Sequence, residues 1–348
     1  MAMVKDRDMK TLFNVLDQRT LIVSGFGYFL GKQSGRLVIK EKKMKIAQYA
    51  MSNLDEILVM SRGATVSTSL INEACKRGIK ICIWSNSYPN VMISSPQLAA
   101  FAEVKRAQFR ALDNEQGLEL IKQVLASKVD NQASMIKYLT KNQDAMELVH
   151  VRKNIPMLEA QSAAIKRLNS DNISRSRTQL LTIEALAARL YWQGFKSALK
   201  SDCGFNSRDP RAADAVNIAL NYGYAILYSL VWMGVLNAGM EPFAGFLHTD
   251  RPGKPSLVLD LSEPFKPRLV DRIIVSILNK RRSIKVEEGV LNDTSRKLIS
   301  SSIMAELNKR EIFAGKRLTM RSIIQSNIYS VASMLKGTGP YERYSIKW

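Results

Sequence analysis

The sequence predicts an α+β protein in two parts. A small N-terminal β-rich domain with one short helix occupies residues 1–92, a linker 93–104, and a larger all-helical domain 105–348. Two observations predict this. The hydrophobic period changes near "ISSPQLA" (93–99), from short β-branched runs to apolar residues spaced three and four apart. A chain of 348 residues, 46% hydrophobic and 24% charged, also has enough apolar material for two cores.

In the first part, "TLIVSG", "GRLVIKE", "EILVMSRG" and "IKICIWS" read as strands punctuated by Gly, Asn or Ser. Between them "STSLINEACKRG" reads as a helix, with Ser67 or Ser69 as its cap and Gly78 as its stop. In the second part helical spacing runs over 101–147, 155–168, 178–200, 212–238, 266–281, 293–313 and 318–335. Breaks fall at "NSDNISRSR" (169–177) and "SDCGFNSRDPR" (201–211). The exception to helix is "GFLHTDRPGKPSLVLDLSEPFKP" (245–267), where "GKPS" reads as a turn and "LVLDL" as a short extended run. Internal repeats and low-complexity tracts are absent from the sequence.

A formal net charge of +20 points to a polyanion as partner, because lysines and arginines that neutralise phosphates release condensed counterions. The excess is spread: 14 Lys and Arg against 7 Asp and Glu in residues 1–100, and 37 against 24 in the rest. Spread charge on folded sequence suits an extended nucleic-acid surface better than a basic tail does. Cys75, Cys82 and Cys203 are an odd number without CxxC spacing, which suggests neither a disulfide framework nor a thiolate zinc site and fits a reducing compartment. The start "MAMVKDRDMK" is charged where a signal peptide needs an apolar run, and no uninterrupted apolar stretch approaches roughly 18 residues. The expectation is a soluble cytoplasmic protein with no membrane partner.

Glu184 lies within "LLTIEALAARLYW" (180–192), which is apolar nearly all round and predicts a helix buried on most faces. A buried carboxylate must be paired, protonated or bound to a cation. The nearest cation in sequence, Arg189, sits about 140° away around the helix, so the partner comes from elsewhere. His248 is one of two histidines in the chain, and Asp260 and Glu263 follow it at the end of the extended run. One reading makes Glu184 half of a structural ion pair and His248 a hydrogen-bonded loop residue. The other makes one imidazole and two or three carboxylates a mixed nitrogen and oxygen site suited to Mn2+ or Mg2+. In a basic protein that suggests phosphoryl transfer on nucleic acid.

Several stretches resemble one family in order and spacing: "SGFGYFLGKQSGRLVIKEK", "SRGATVSTSLINEACKRGIKICIWS", "KRAQFRALDNEQG", "ASKVDNQ", "IEALAARLYW", "NIALNYGYAILYSLVWMGVLNAGMEPFAGFLH" and "SLVLDLSEPFKPRLVDR". The chain is similar over nearly its whole length to the CRISPR-associated integrase and endonuclease family that captures spacers, "Cas one". The resemblance implies an N-terminal β domain that forms a homodimer and a helical domain with a divalent-metal site. The metal ligands fall on Glu184, His248 and Glu263, with Asp260 as a further acidic position beside them. It implies transesterification, in which the 3′-hydroxyl of a captured DNA fragment attacks a phosphodiester at the CRISPR repeat boundary, with associated nicking or resolution of branched DNA. It implies as partners double-stranded and branched DNA and the small "Cas two" protein that bridges two dimers.

Lys105, Arg106 and Lys128 lie in family-like segments and fit either DNA-backbone contacts or a solvated helix face. Arg189 fits a phosphate contact or a pair with Asp260 or Asp271, and Lys254, Lys266, Arg268 and Arg272, which surround the acidic cluster, could do either job. Tyr191 and Trp192 read as core. Three rival functions stand beside the integrase. One is a transposon-borne integrase relative, disfavoured because the chain ends at "YERYSIKW" without an added DNA-binding segment. The second is a non-catalytic DNA-binding scaffold, and the third a general repair nuclease acting on branched DNA.

Overall fold

The computed structural model describes residues 13–16, 20–84, 89–94, 102–141, 151–170, 173–200, 203–248, 252–280 and 282–347. The chain divides into two compact units, residues 1–100 and 101–348. The last strand of the first ends at Ile93 and the first described helix of the second starts at Ala102.

The first unit is a seven-stranded sheet. Its strands are β1 (Phe13–Leu16), β2 (Thr20–Gln33), β3 (Arg36–Glu41), β4 (Met44–Ala50), β5 (Glu56–Val66), β6 (Lys80–Trp84) and β7 (Pro89–Ile93), in the order β4-β3-β2-β5-β6-β7 with β1 also on β2. β2, β3 and β4 form an antiparallel meander. Its turns are two-residue loops with positive φ at both positions, Ser34–Gly35 and Lys42–Lys43, the geometry that matches strand twist. β5 and β6 run parallel, joined by α1 (Thr68–Lys76). Ser67 caps that helix by accepting from the Leu70 N–H at 3.3 Å, and Gly78 follows it in the left-handed region, as the sequence predicts. Leu21, Leu30, Leu37, Ile39, Ile57 and Ile81 pack with Leu70 and Ala74 of α1 into one core.

The second unit holds α2 (Ala102–Ala111), α3 (Glu115–Thr140), α4 (Asn154–Arg167), α5 (Ile173–Ser197), α6 (Ala215–Asn237), α7 (Ser256–Ser262), α8 (Arg272–Asn279), α9 (Asp293–Leu307) and α10 (Met320–Lys336). Asn114, accepting from the Gln116 and Gly117 N–H groups, starts α3 and splits the predicted long first helix in two. α6 is long and apolar enough to cross a membrane, yet most of it is buried against its neighbours, as in a core helix.

Three expectations are corrected. "LVLDL" is not extended: it lies in α7, where all seven residues are buried. Burial on every side removes the polar face that would reveal a helical period, so a short apolar run reads equally as a strand. The second unit is not all helix. Two short hairpins, β8 (Val286–Glu287) with β9 (Val290–Leu291) and β10 (Arg310–Phe313) with β11 (Lys316–Thr319), turn at Glu288–Gly289 and Ala314–Gly315. Nor is α5 buried on most faces, since Leu181 and Leu186 are about 40% and 41% exposed. Its buried residues, Ile173, Ser176, Leu180, Ala187, Tyr191, Gly194 and Phe195, form one stripe.

Candidate metal centre

Glu184 sits between Leu180 and Ala187 on that buried stripe, so α5 aims its carboxylate inward. α3 crosses α5 and supplies the missing partner: Lys128 Nζ lies 2.5 Å from Glu184 Oε1. The same ammonium lies 2.8 Å from Glu263 Oε2. Glu263 begins a tight helical turn, Glu263–Phe265, between α7 and a wider turn at Pro267–Asp271. Its other oxygen, Oε1, accepts from Lys266 Nζ at 2.5 Å. Burial alone would neutralise these groups, but their mutual attraction outweighs it. The Glu263 carboxyl is held below the usual range by Lys128 and Lys266, and both ammonium groups are held above theirs by the carboxylates.

His248 is fixed separately. Asp260, fully buried on α7, accepts from the backbone N–H of Phe246 at 2.7 Å and of Leu247 at 3.0 Å through Oδ2. Through Oδ1 it meets the His248 N–H at 3.3 Å and ring Nδ1 at 2.5 Å. Gly245 makes this possible, because a Cβ there would stand 2.7 Å from the Ser256 carbonyl carbon and 3.0 Å from Asp260 Oδ2. The buried Gln108 of α2 ties down the same loop, donating to the carbonyls of Glu241 at 3.0 Å and Ala244 at 2.8 Å. Asp260 is therefore a positioning residue, with both oxygens committed to the loop. With Nδ1 directed at Asp260, Nε2 is the ring nitrogen left to act as a ligand.

Two hard carboxylates converging on one cation fit a divalent metal in donor type. The glutamates are joined and the histidine stands apart from them: among the described residues, no three His, Cys, Asp or Glu side chains gather closely enough to hold a metal ion.

Beside Glu263 lies a cleft of about 200 Å³ lined by Lys128, Lys266, Arg208, Tyr224, Tyr228, Trp192 and Asp271. Lys266 Nζ stands 5.1 and 5.4 Å from the ring centres of Tyr224 and Tyr228. Buried Asp271 accepts from Tyr191 at 2.7 Å and Tyr224 at 2.6 Å. Burial raises its pKa to about 6, opposed by those hydroxyls, Lys266 and Arg208.

The cations predicted to meet DNA divide. Arg106 and Arg189 are exposed, Lys254 is half-buried, and Lys105 pairs with Glu241 at 3.4 Å. Arg189 meets neither Asp260 nor Asp271, whose oxygens serve the His248 loop and the two tyrosines. Arg268 and Arg272 do not ring the acidic cluster. They are internal pillars, with Arg268 2.8 Å from Glu306 and 2.5 Å from Glu311, and Arg272 also on Glu306. One positioning residue had no predicted role. Asn131 of α3 donates to the Pro264 carbonyl at 2.8 Å and accepts from the Ile346 N–H at 2.9 Å, pinning the turn that carries Glu263. Its signal in the sequence was an amide one turn beyond Lys128, within a helix whose buried residues are mostly apolar.

A β-rich unit followed by a helical unit is the architecture of Cas1 proteins of known structure. In fold it resembles a Cas1 protein from Thermotoga maritima (TM-score 0.75, 17% identity, 94% of this chain and 100% of that one). It also resembles a casposase bound to integration product (0.76, 21%, 95% and 96%). A third likeness, to a chain of a Cas6-RT-Cas1–Cas2 complex, has TM-score 0.78 and 16% identity over 96% of this chain and 37% of that one. The family model for CRISPR associated protein Cas1 matches residues 21–304. The CRISPR-associated endonuclease Cas1 1 of Francisella tularensis subsp. novicida is 30% identical over 331 residues, covering 94% of this chain and 99% of that protein. The CRISPR-associated endonuclease Cas1 1 of Archaeoglobus fulgidus is 30% identical over 348 residues, covering 94% and 99%. The chain belongs to the CRISPR-associated Cas1 family.

Proposed function

We propose that this protein is a metal-dependent DNA integrase of CRISPR spacer acquisition. It joins the 3′-hydroxyl of a DNA fragment to a phosphodiester at the repeat boundary by transesterification, and nicks or resolves branched DNA by related chemistry. The observation that carries this reading is the convergence of Glu184 and Glu263, from separate elements, on a single cation at 2.5 and 2.8 Å. The chemistry supplied by a Mn2+ or Mg2+ ion, held by Glu184, Glu263 and His248 Nε2, is polarisation of phosphorus-bound oxygens and alignment of the attacking hydroxyl. Asp260 keeps the imidazole proton on Nδ1, so Nε2 serves as a ligand rather than a base. Lys266, with Arg208 across the cleft, offers positive charge to the phosphate oxygens. Arg106 and Arg189, both exposed, extend that attraction along the DNA backbone.

The partners proposed are double-stranded and branched DNA, a second copy of the chain joined through the β unit, and the small Cas2 protein. The fold likeness to a chain of a Cas1–Cas2 complex and to a casposase bound to integration product supports that assignment. The test is strand joining of a labelled 3′-hydroxyl fragment into a repeat-bearing plasmid with Mn2+, with Cas2 added in a parallel reaction. Wild type is expected to join. Glu184→Ala and Glu263→Ala are expected to lose about a hundredfold or more while still binding DNA. A protein that binds DNA without joining or nicking under any condition is a scaffold, in which the lysine bridge is structural.

A further inference from the structure

The lysine bridge has a consequence for how the site loads. Glu184 Oε1 and Glu263 Oε2 face the same Nζ, at 2.5 and 2.8 Å. A small divalent cation shared by those two oxygens would stand about 2.0–2.2 Å from each. It would therefore occupy the space the ammonium fills, and the two cannot be present together. The bridge is also electrically complete without a metal, since two carboxylates face two ammonium groups, Lys128 and Lys266. Replacing Lys128 by a divalent ion while its ammonium stays in the neighbourhood leaves two uncompensated positive charges.

The exit for Lys128 is the cleft it already lines, which Lys266 and Arg208 also line. Of the carboxylates lining it, Glu263 is taken by the metal and Asp271 accepts from two tyrosine hydroxyls, so a displaced third cation finds its counter-charge there only when an anion arrives. Phosphates of DNA supply that anion, each carrying one negative charge: one accepts the displaced ammonium and a neighbouring one offsets the remaining charge at the metal.

We propose that Lys128 is a place-holding cation: it occupies the metal position in the free protein and moves onto a DNA phosphate when the metal enters, so that metal and DNA bind cooperatively through this side chain. The inference rests on the metal-site reading above and adds its regulation. Linkage makes the coupling reciprocal, with DNA tightening the metal by the same factor as the metal tightens DNA. Free protein would then carry little bound metal, which restrains cleavage away from a properly seated substrate.

The test is Mn2+ binding followed by electron paramagnetic resonance of the free aquo ion. Wild type and Lys128→Met are titrated with and without a duplex ending in 3′-dideoxynucleotides, which cannot be joined. A Glu184→Gln/Glu263→Gln variant sets the background from DNA alone. The expected result is that the duplex raises wild-type affinity for Mn2+ on the order of tenfold. Lys128→Met without DNA already binds at least that much more tightly than wild type, and gains less from the duplex. Equal or weaker binding by Lys128→Met overturns the proposal while leaving the metal site standing, and so does a wild-type affinity indifferent to DNA. Absence of specific Mn2+ binding in every form overturns the metal reading itself. If Lys128→Met unfolds because its carboxylates lose their cation, melting of Lys128→Gln with and without Mn2+ decides. A larger Mn2+-induced rise in Tm than in wild type supports the place-holder, and an equal or smaller rise overturns it.

Discussion

Replacing Asp260 by Asn should switch the tautomer of His248 and destabilise the protein together. The carboxylate is fully buried and meets four groups, the N–H of Phe246, Leu247 and His248 and the ring Nδ1. An Asn can keep its oxygen toward Phe246 and Leu247, but its amide nitrogen then faces the His248 N–H and ring. One charge-assisted bond to a backbone donor is lost, and the two retained bonds weaken because their acceptor is neutral. The sum is about 3 kcal/mol, taking about 1.5–3 for a bond to a charged group. The amide also donates where the carboxylate accepted, so Nδ1 must become the acceptor and the ring proton moves to Nε2. That nitrogen can then no longer serve as a ligand. Urea denaturation reads the stability, and long-range nitrogen–proton NMR reads the tautomer in a protein with only two histidines. A variant within about 0.5 kcal/mol of wild type, with its Nδ1–H tautomer intact, would refute the assignment of Asp260 as positioning residue.

Gly245→Ala should lower stability by about 1–3 kcal/mol and weaken Mn2+ binding, because its Cβ would meet backbone of Ser256 at 2.7 Å; calorimetry that finds the two proteins equal rejects this. Arg268→Ala should lower stability by about 2 kcal/mol, since Glu311 loses its cation while Glu306 keeps Arg272 and Lys309, yet leave DNA affinity and its salt dependence unchanged by fluorescence anisotropy; a reduced salt slope would return Arg268 to the DNA surface. Asp271 has its pKa raised from 3.8 to about 6, so between those values the folded protein binds more protons than the unfolded chain. Its contribution to stability is full below the unfolded value and is lost as pH rises through about 6. Relative to Asp271→Asn, wild type should therefore lose roughly 2.4 kcal/mol between pH 4 and 7; a urea-denaturation difference that stays flat across this range rejects the shift.

The helical period and the glycine and serine punctuation identified most elements, because each is a local property of the chain. What escaped was set by tertiary neighbours. α7 hides its period because every side is buried. α5 looks apolar all round in sequence, yet leaves Leu181 and Leu186 exposed while Glu184 stays on its buried stripe. The need of Glu184 for a distant partner was legible from burial, but Lys128 lies 56 residues away and its identity depended on how α3 crosses α5. Arg268 and Arg272 looked like companions of the acidic residues beside them in sequence, and helical geometry turns them toward α9. Asp260 and Glu263 are three residues apart and take different parts, one turned into the His248 loop and the other toward Lys128.

The central claim is that Glu184, Glu263 and His248 form one divalent-metal site once DNA is present. Anomalous diffraction from crystals of the DNA complex grown with Mn2+ tests it most directly. The account predicts a manganese peak between the Glu184 and Glu263 carboxylates, within ligand distance of His248 Nε2, with the Lys128 ammonium displaced onto a phosphate. A map with no peak there, and Lys128 still bridging the two glutamates against bound DNA, would contradict it.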